Sequence, residues 1–153
     1  MERKNIISKA CVIVIKDDKI LLTYSKYGDD EFWLVPGGGI EFEESVEECA
    51  IREVKEETGL DVEIVKFLYL RDFIPHNGKD HVIDMFFLGK VVGGELIVGG
   101  DPDHNVQKIK KVEFVPIHKL SEITIFPKCL PKLIEEGLKN NFSDAGIYIG
   151  KCD

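Results

Sequence analysis

The stretch PGGGIEFEESVEECAIREVKEETGL, Pro36 to Leu60, decides how the rest of this chain is read. Its second half, Ser45 to Thr58, is rich in Glu, Ala, Arg and Lys and free of Pro and Gly, so it predicts a helix that Gly59 stops. At about 100° per residue, Glu53, Glu56 and Glu57 fall within roughly a third of the helix circumference. Val46, Cys49, Ala50 and Val54 occupy an overlapping arc, and Glu47, Glu48, Lys55 and Thr58 fill most of the remainder. The acids therefore continue the inward stripe.

That placement carries a cost. Like charges at i,i+4 repel, and carboxylates in a last turn oppose the helix dipole. A hard divalent cation offsets both effects, and Mg²⁺, with Mn²⁺ as a substitute, suits an all-oxygen site completed by water and substrate phosphates. Arg52 is placed to hold one carboxylate in position. The same composition also suits a solvated helix with ordinary salt bridges. Pro36-Gly37-Gly38-Gly39, directly upstream, favours the metal reading, because a flexible turn brings backbone groups close to a cation or phosphate.

The spacing is Gly38, five residues, Glu44, seven residues, Arg52-Glu53-Val54, one residue, Glu56-Glu57, one residue, Gly59-Leu60. It resembles the complete signature of the Nudix hydrolase family, the MutT-like enzymes. The resemblance implies an α/β fold, a Nudix-type α/β/α sandwich with a mixed β-sheet, and metal-dependent hydrolysis of nucleoside diphosphates linked to a further group. By the same resemblance Glu53, Glu56 and Glu57 are metal ligands together with the Gly37 carbonyl, Arg52 orients Glu53, and Glu44 supports the loop or an outer metal shell. Structural salt bridges are the alternative for Arg52 and Glu44. Relatives take a general base from a later loop, which points to Asp103, with Glu95, Asp101 and His104 as further candidates. A plain polar turn begun by Asp101-Pro102 is the competing reading. Lys110 and Lys111 depart from the pattern, standing where many relatives carry acids.

Substrate signals are fewer. Pro75 lies near the spacing at which ADP-ribose-cleaving relatives carry a proline, although a proline before His76-Asn77-Gly78 also makes an ordinary turn. Trp33, Phe73 and Phe86 are candidates to stack on a base, with core packing the default. His76 and His81 lack a ligand partner at useful spacing. The expected enzyme is a pyrophosphohydrolase for ADP-ribose or a nucleotide sugar. The alternatives are a nucleoside triphosphate pyrophosphohydrolase and a noncatalytic nucleotide sensor on the same fold.

At 153 residues the chain reads as one domain, 1–153, able to bury a substantial core, and its hydrophobic fraction is 44%. A net charge of −8 opposes broad binding to nucleic acid, so the implied partner is a small nucleotide, and a homodimer stays open. No apolar run has the length of a signal or a membrane span, so the expected location is the cytosol. Cys11, Cys49, Cys129 and Cys152 show no zinc spacing and are expected as reduced thiols.

Alternating apolar residues predict a hairpin from Ala10–Ile15 and Ile20–Tyr24 around Lys16-Asp17-Asp18-Lys19. Phe32–Val35 predicts a short strand delivering the glycines. Val62–Phe73 and His81–Val92 predict two longer strands, Lys111–Ile117 another, and Lys128–Leu138 a second helix.

Overall fold

Ser45 begins the helix that covers one face of the sheet. In the computed structural model, which describes residues 3–98, 109–144 and 146–153, the Ser45 hydroxyl accepts from the Glu48 N–H at 3.2 Å. The Glu48 carboxylate accepts in return from the Ser45 N–H at 2.7 Å. This capping box satisfies two amides at the start of α1 (Val46–Thr58). Gly59 ends the helix at φ 76°, and a Cβ there would stand 2.3 Å from the Glu95 carbonyl oxygen, so both backbone conformation and space require glycine.

Nine strands are present among the described residues: β1 (Asn5–Lys16), β2 (Lys19–Tyr27), β3 (Asp30–Leu34), β4 (Gly37–Gly39), β5 (Leu60–Phe73), β6 (Asp80–Gly94), β7 (Ile109–Pro116), β8 (Ile125–Phe126) and β9 (Ile147–Lys151). A 3-10 turn over Ile117–Glu122 and helix α2 (Leu130–Lys139) complete the order. The main path of the sheet runs β8-β3-β2-β1-β6-β5-β9, with β4 added to β1 and β7 to β2. It is mixed, since β1/β6, β3/β8 and β5/β9 are parallel while the β1/β2 and β5/β6 hairpins are antiparallel. The predicted first hairpin forms, with Asp17 and Asp18 at positive φ (51° and 56°) making its two-residue turn.

Strand alternation distributes the core to two faces. Ala10, Val12 and Val14 of β1 and Leu21 of β2 pack with Cys49, Ala50 and Val54 of α1. Ile13, Ile20 and Leu22 point the other way and pack with Leu130 and Ile134 of α2. The sheet thus lies between two helices, as the predicted α/β/α sandwich requires.

Three details differ from expectation. Thr58, assigned to the outer face, is fully buried, because its hydroxyl donates to the Val54 carbonyl at 2.7 Å and accepts from the Leu60 N–H at 3.2 Å. The glycine run is a short strand rather than a flexible turn. Cys129 and Cys152 are joined in a disulfide rather than being thiols, while Cys11 and Cys49 are free. The pair is 23 positions apart in sequence, and only the return of β9 alongside β5 brings it together.

Ile134 is fully buried in the cluster beneath α2. Ile134→Ala is expected to lower unfolding free energy by about 2–5 kcal/mol with an unchanged denaturant slope in urea titration.

Candidate active site

The glycine strand is held against β1 in the register Gly37 opposite Cys11, Gly38 opposite Ala10 and Gly39 opposite Lys9. A Cβ on Gly37 would come within 2.4 Å of the Ala10 carbonyl oxygen, and one on Gly38 within 2.4 Å of the Glu53 carboxylate. Gly37 therefore lets the strand sit close on β1, and Gly38 lets α1 lay the Glu53 carboxylate directly on the strand. The Gly37 N–H donates to the Glu57 carboxylate at 3.1 Å. Glu53 and Glu57 are thus brought from successive turns of α1 onto adjacent glycines.

Arg52 organises the acids from the other side. Its Nε and Nη2 bond both oxygens of Glu44 at 2.9 and 2.7 Å, its Nη1 lies 2.8 Å from Glu53 and 3.2 Å from Glu56, and its Nη2 also donates to the Gly39 carbonyl. Glu44 in turn accepts from the Glu41 N–H at 2.7 Å, which ties down the loop between β4 and α1. The Arg52 guanidinium holds the Glu44 carboxyl well below its ordinary value, at about 2. The same contact raises the pKa of Arg52 still further, so both remain charged at neutral pH. Cys49, expected only as a core residue, places its thiol 3.6 and 3.4 Å from the Gly38 and Gly39 carbonyl oxygens. Burial pushes that thiol up to about 12, so it acts as a neutral weak donor.

Every candidate ligand here is an oxygen, which fits a hard divalent cation. Among the described residues no three His, Cys, Asp or Glu side chains are already gathered at ligand distances. Arg52 lies between Glu44, Glu53 and Glu56 and supplies the positive charge at that point. Asp103, Asp101 and His104 lie outside the described residues. Glu95 is exposed beside Gly59, past the end of α1.

The remaining candidates are located elsewhere. Phe86 is buried, and Trp33 half-buried, in the cluster beneath α2, on the sheet face opposite α1. Both serve the core. Phe73 carries the Arg71 guanidinium 5.0 Å above its ring. Pro75 enters an Asx turn in which the Asn77 side-chain oxygen accepts from the Lys79 and Asp80 N–H groups. His81 pairs with Asp72 at 2.5 Å, and His76 is an exposed turn residue.

Carboxylates of α1 are thus held beside a glycine strand, Glu57 by the Gly37 N–H and Glu53 and Glu56 by one guanidinium. The NUDIX domain family model matches residues 7–136, and the chain belongs to that family. Family members generally use divalent metal ions. An ADP-ribose pyrophosphatase of Methanocaldococcus jannaschii is 36% identical over 112 residues, covering 72% of this chain and 62% of that protein. The chain therefore spans less than two thirds of that relative's length. A NUDIX hydrolase structure from Nitrosomonas europaea matches with TM-score 0.73 at 21% identity, over 89% of this chain and 90% of that one. An ADP-ribose pyrophosphatase structure from Streptococcus suis matches with TM-score 0.64 at 25% identity, over 96% and 98%.

Glu44 has a folded pKa below its ordinary value of 4.5. Its contribution to stability is therefore complete above about 4.5 and is lost as pH falls toward about 2. The stability difference between wild type and Glu44→Gln, from urea titrations at stepped pH, is expected to be largest near neutrality and to vanish near the bottom of that window.

Proposed function

We propose that this chain is a pyrophosphohydrolase requiring Mg²⁺ or Mn²⁺ that cleaves nucleoside diphosphates linked to a second group, ADP-ribose or a nucleotide sugar first among them. The observation that carries the proposal is the seating of Glu53 and Glu57 on Gly38 and Gly37, with Arg52 holding Glu53 and Glu56. The names of the archaeal and streptococcal relatives support the substrate class. The proposal takes residues 1–153 as one Nudix unit working in the cytosol. No helix among the described residues is long and apolar enough to cross a membrane.

In this reading Glu53, Glu56, Glu57 and the Gly37 carbonyl hold the metal. A bound divalent cation neutralises charge developing on the phosphate oxygens and makes water a stronger nucleophile at neutral pH. Arg52, itself braced by Glu44, keeps Glu53 and Glu56 aimed, so little reorganisation is left for the moment of reaction. The Gly37 N–H fixes one oxygen of Glu57. Asp103 is the proposed general base, taking the proton of the attacking water.

Removal of divalent metal by exhaustive chelation should abolish hydrolysis, and Glu53→Gln, Glu56→Gln and Glu57→Gln should each lower turnover at least about 100-fold in a folded protein. Steady-state kinetics at limiting Mg²⁺ and circular dichroism check both halves. Near-normal turnover in all three variants would return the helix to a salt-bridge role.

ADP-ribose is expected to yield AMP and ribose 5-phosphate with a higher kcat/KM than ATP. Pro75→Ala should change that ratio more than it changes metal dependence, because the turn lies outside the carboxylate helix. Product masses and side-by-side kinetics decide the matter. A preference for ATP, or a ratio indifferent to Pro75, would reject the ADP-ribose assignment and leave the anhydride chemistry in place.

A further inference from the structure

The final strand is fastened more heavily than an edge strand requires. β9 lies parallel to β5, and the Cys152 N–H that follows it donates to the Asp72 carbonyl at 3.3 Å. The Tyr148 hydroxyl donates to the Asp72 carboxylate at 2.5 Å, and the Lys128 N–H donates to the Asp153 carbonyl at 2.5 Å. The Cys129–Cys152 disulfide then ties this strand to the start of α2. Both cysteines are partly exposed.

The same strand touches a buried charge. Arg71 donates through Nε and Nη2 to Asp84 at 2.8 Å each, and through Nη1 to the Cys152 carbonyl at 2.5 Å. Arg71 and Asp84 are 7% and 4% exposed, so water does not readily replace a lost partner. Removing the Cys152 carbonyl leaves a buried guanidinium N–H unpaired and perturbs the ion pair. That pair sits in one cross-strand row: Gly150 opposite Arg71, Arg71 opposite Asp84, Asp84 opposite Lys9, and Lys9 opposite Gly39. The row runs from the strap to the glycine strand.

We propose that the Cys129–Cys152 bond is a redox-controlled strap: intact, it holds β9 and, through Arg71 and Asp84, the sheet row that ends at Gly39 of the glycine strand; reduced, it releases β9 and loosens the site. The effect on turnover rests on the pyrophosphohydrolase reading, whereas the effect on the strands does not. The reductant is a dithiol. One of its thiolates attacks a protein sulfur and breaks the S–S bond to give a mixed disulfide. Its second thiol then displaces that protein sulfur, leaving two protein thiols and an oxidised, disulfide-bonded reductant, with two hydrogens transferred.

The test compares the full chain, oxidised and then reduced with dithiothreitol, with Cys152→Ser and Arg71→Lys. Intact mass under denaturing, non-reducing conditions should show the oxidised chain lighter by two hydrogens. Reduction should speed amide exchange at 147–152 and, to a smaller degree, at 37–39, lower Tm by about 5–10 °C, and lower kcat/KM for ADP-ribose about 5-fold or more. Reoxidation should restore wild type. Cys152→Ser should match the reduced chain with or without dithiothreitol, and if it does not fold, the reversible titration of wild type decides. Arg71→Lys, which cannot make the same fork of bonds, should keep the response at 147–152 and lose it at 37–39. A chain that forms no disulfide under oxidising conditions overturns the proposal, as does one whose exchange at 37–39 is the same in both states. If neither state hydrolyses ADP-ribose, the hydrolase reading fails while the exchange data still decide the strap.

Discussion

The Arg52 guanidinium is the interaction on which this structure depends. One planar cation reaches Glu44 with two nitrogens, Glu53 and Glu56 with a third contact point, and the Gly39 carbonyl as well. Without it, carboxylates at 53, 56 and 57 would crowd the last turns of a helix whose dipole already disfavours them. Isolated exposed ion pairs contribute little. This one is a half-buried network with fork geometry, and its members fix a loop, a helix and a strand relative to one another.

The absence of side chains is the complementary constraint. Gly37 lies against the backbone of β1, and Gly38 lies against the Glu53 carboxylate. A Cβ at Gly38 would push the helix off the strand, and one at Gly37 would push the strand off β1. Cys49 completes the arrangement by filling the space beneath the glycines with a small, neutral sulfur donor. Charge, close approach and a small core residue together set the distance between α1 and β4, and the proposed chemistry is a consequence of that distance.

Much of this was legible in the sequence, because the relevant information is local. The cap at Ser45, the stop at Gly59, the shared face of the acids and the first hairpin all follow from spacings of a few residues. The long β5 and β6 strands were visible as apolar runs for the same reason. What was not legible depends on distant partners. The glycine run carries no strand propensity and becomes β4 only because β1 offers its edge. β9 and the Cys129–Cys152 bond require the chain end to return beside β5. Thr58 looked polar on a helical wheel, yet its hydroxyl finds both partners within its own turn. Cys49 could have been suspected as more than packing from its place one turn before Arg52, but no pattern of residue types marks a thiol that faces glycine carbonyls.

The proposed cation site lies where Arg52 and the Gly37 N–H hold the acids of α1 on the glycine strand. Anomalous diffraction from crystals grown with Mn²⁺ and a non-hydrolysable ADP-ribose analogue addresses it most directly. The expected result is a peak bounded by Glu53, Glu56, Glu57 and the Gly37 carbonyl, in contact with the analogue's diphosphate. Mn²⁺ bound elsewhere, with Arg52 still occupying the space between the carboxylates and the diphosphate remote from them, would contradict it.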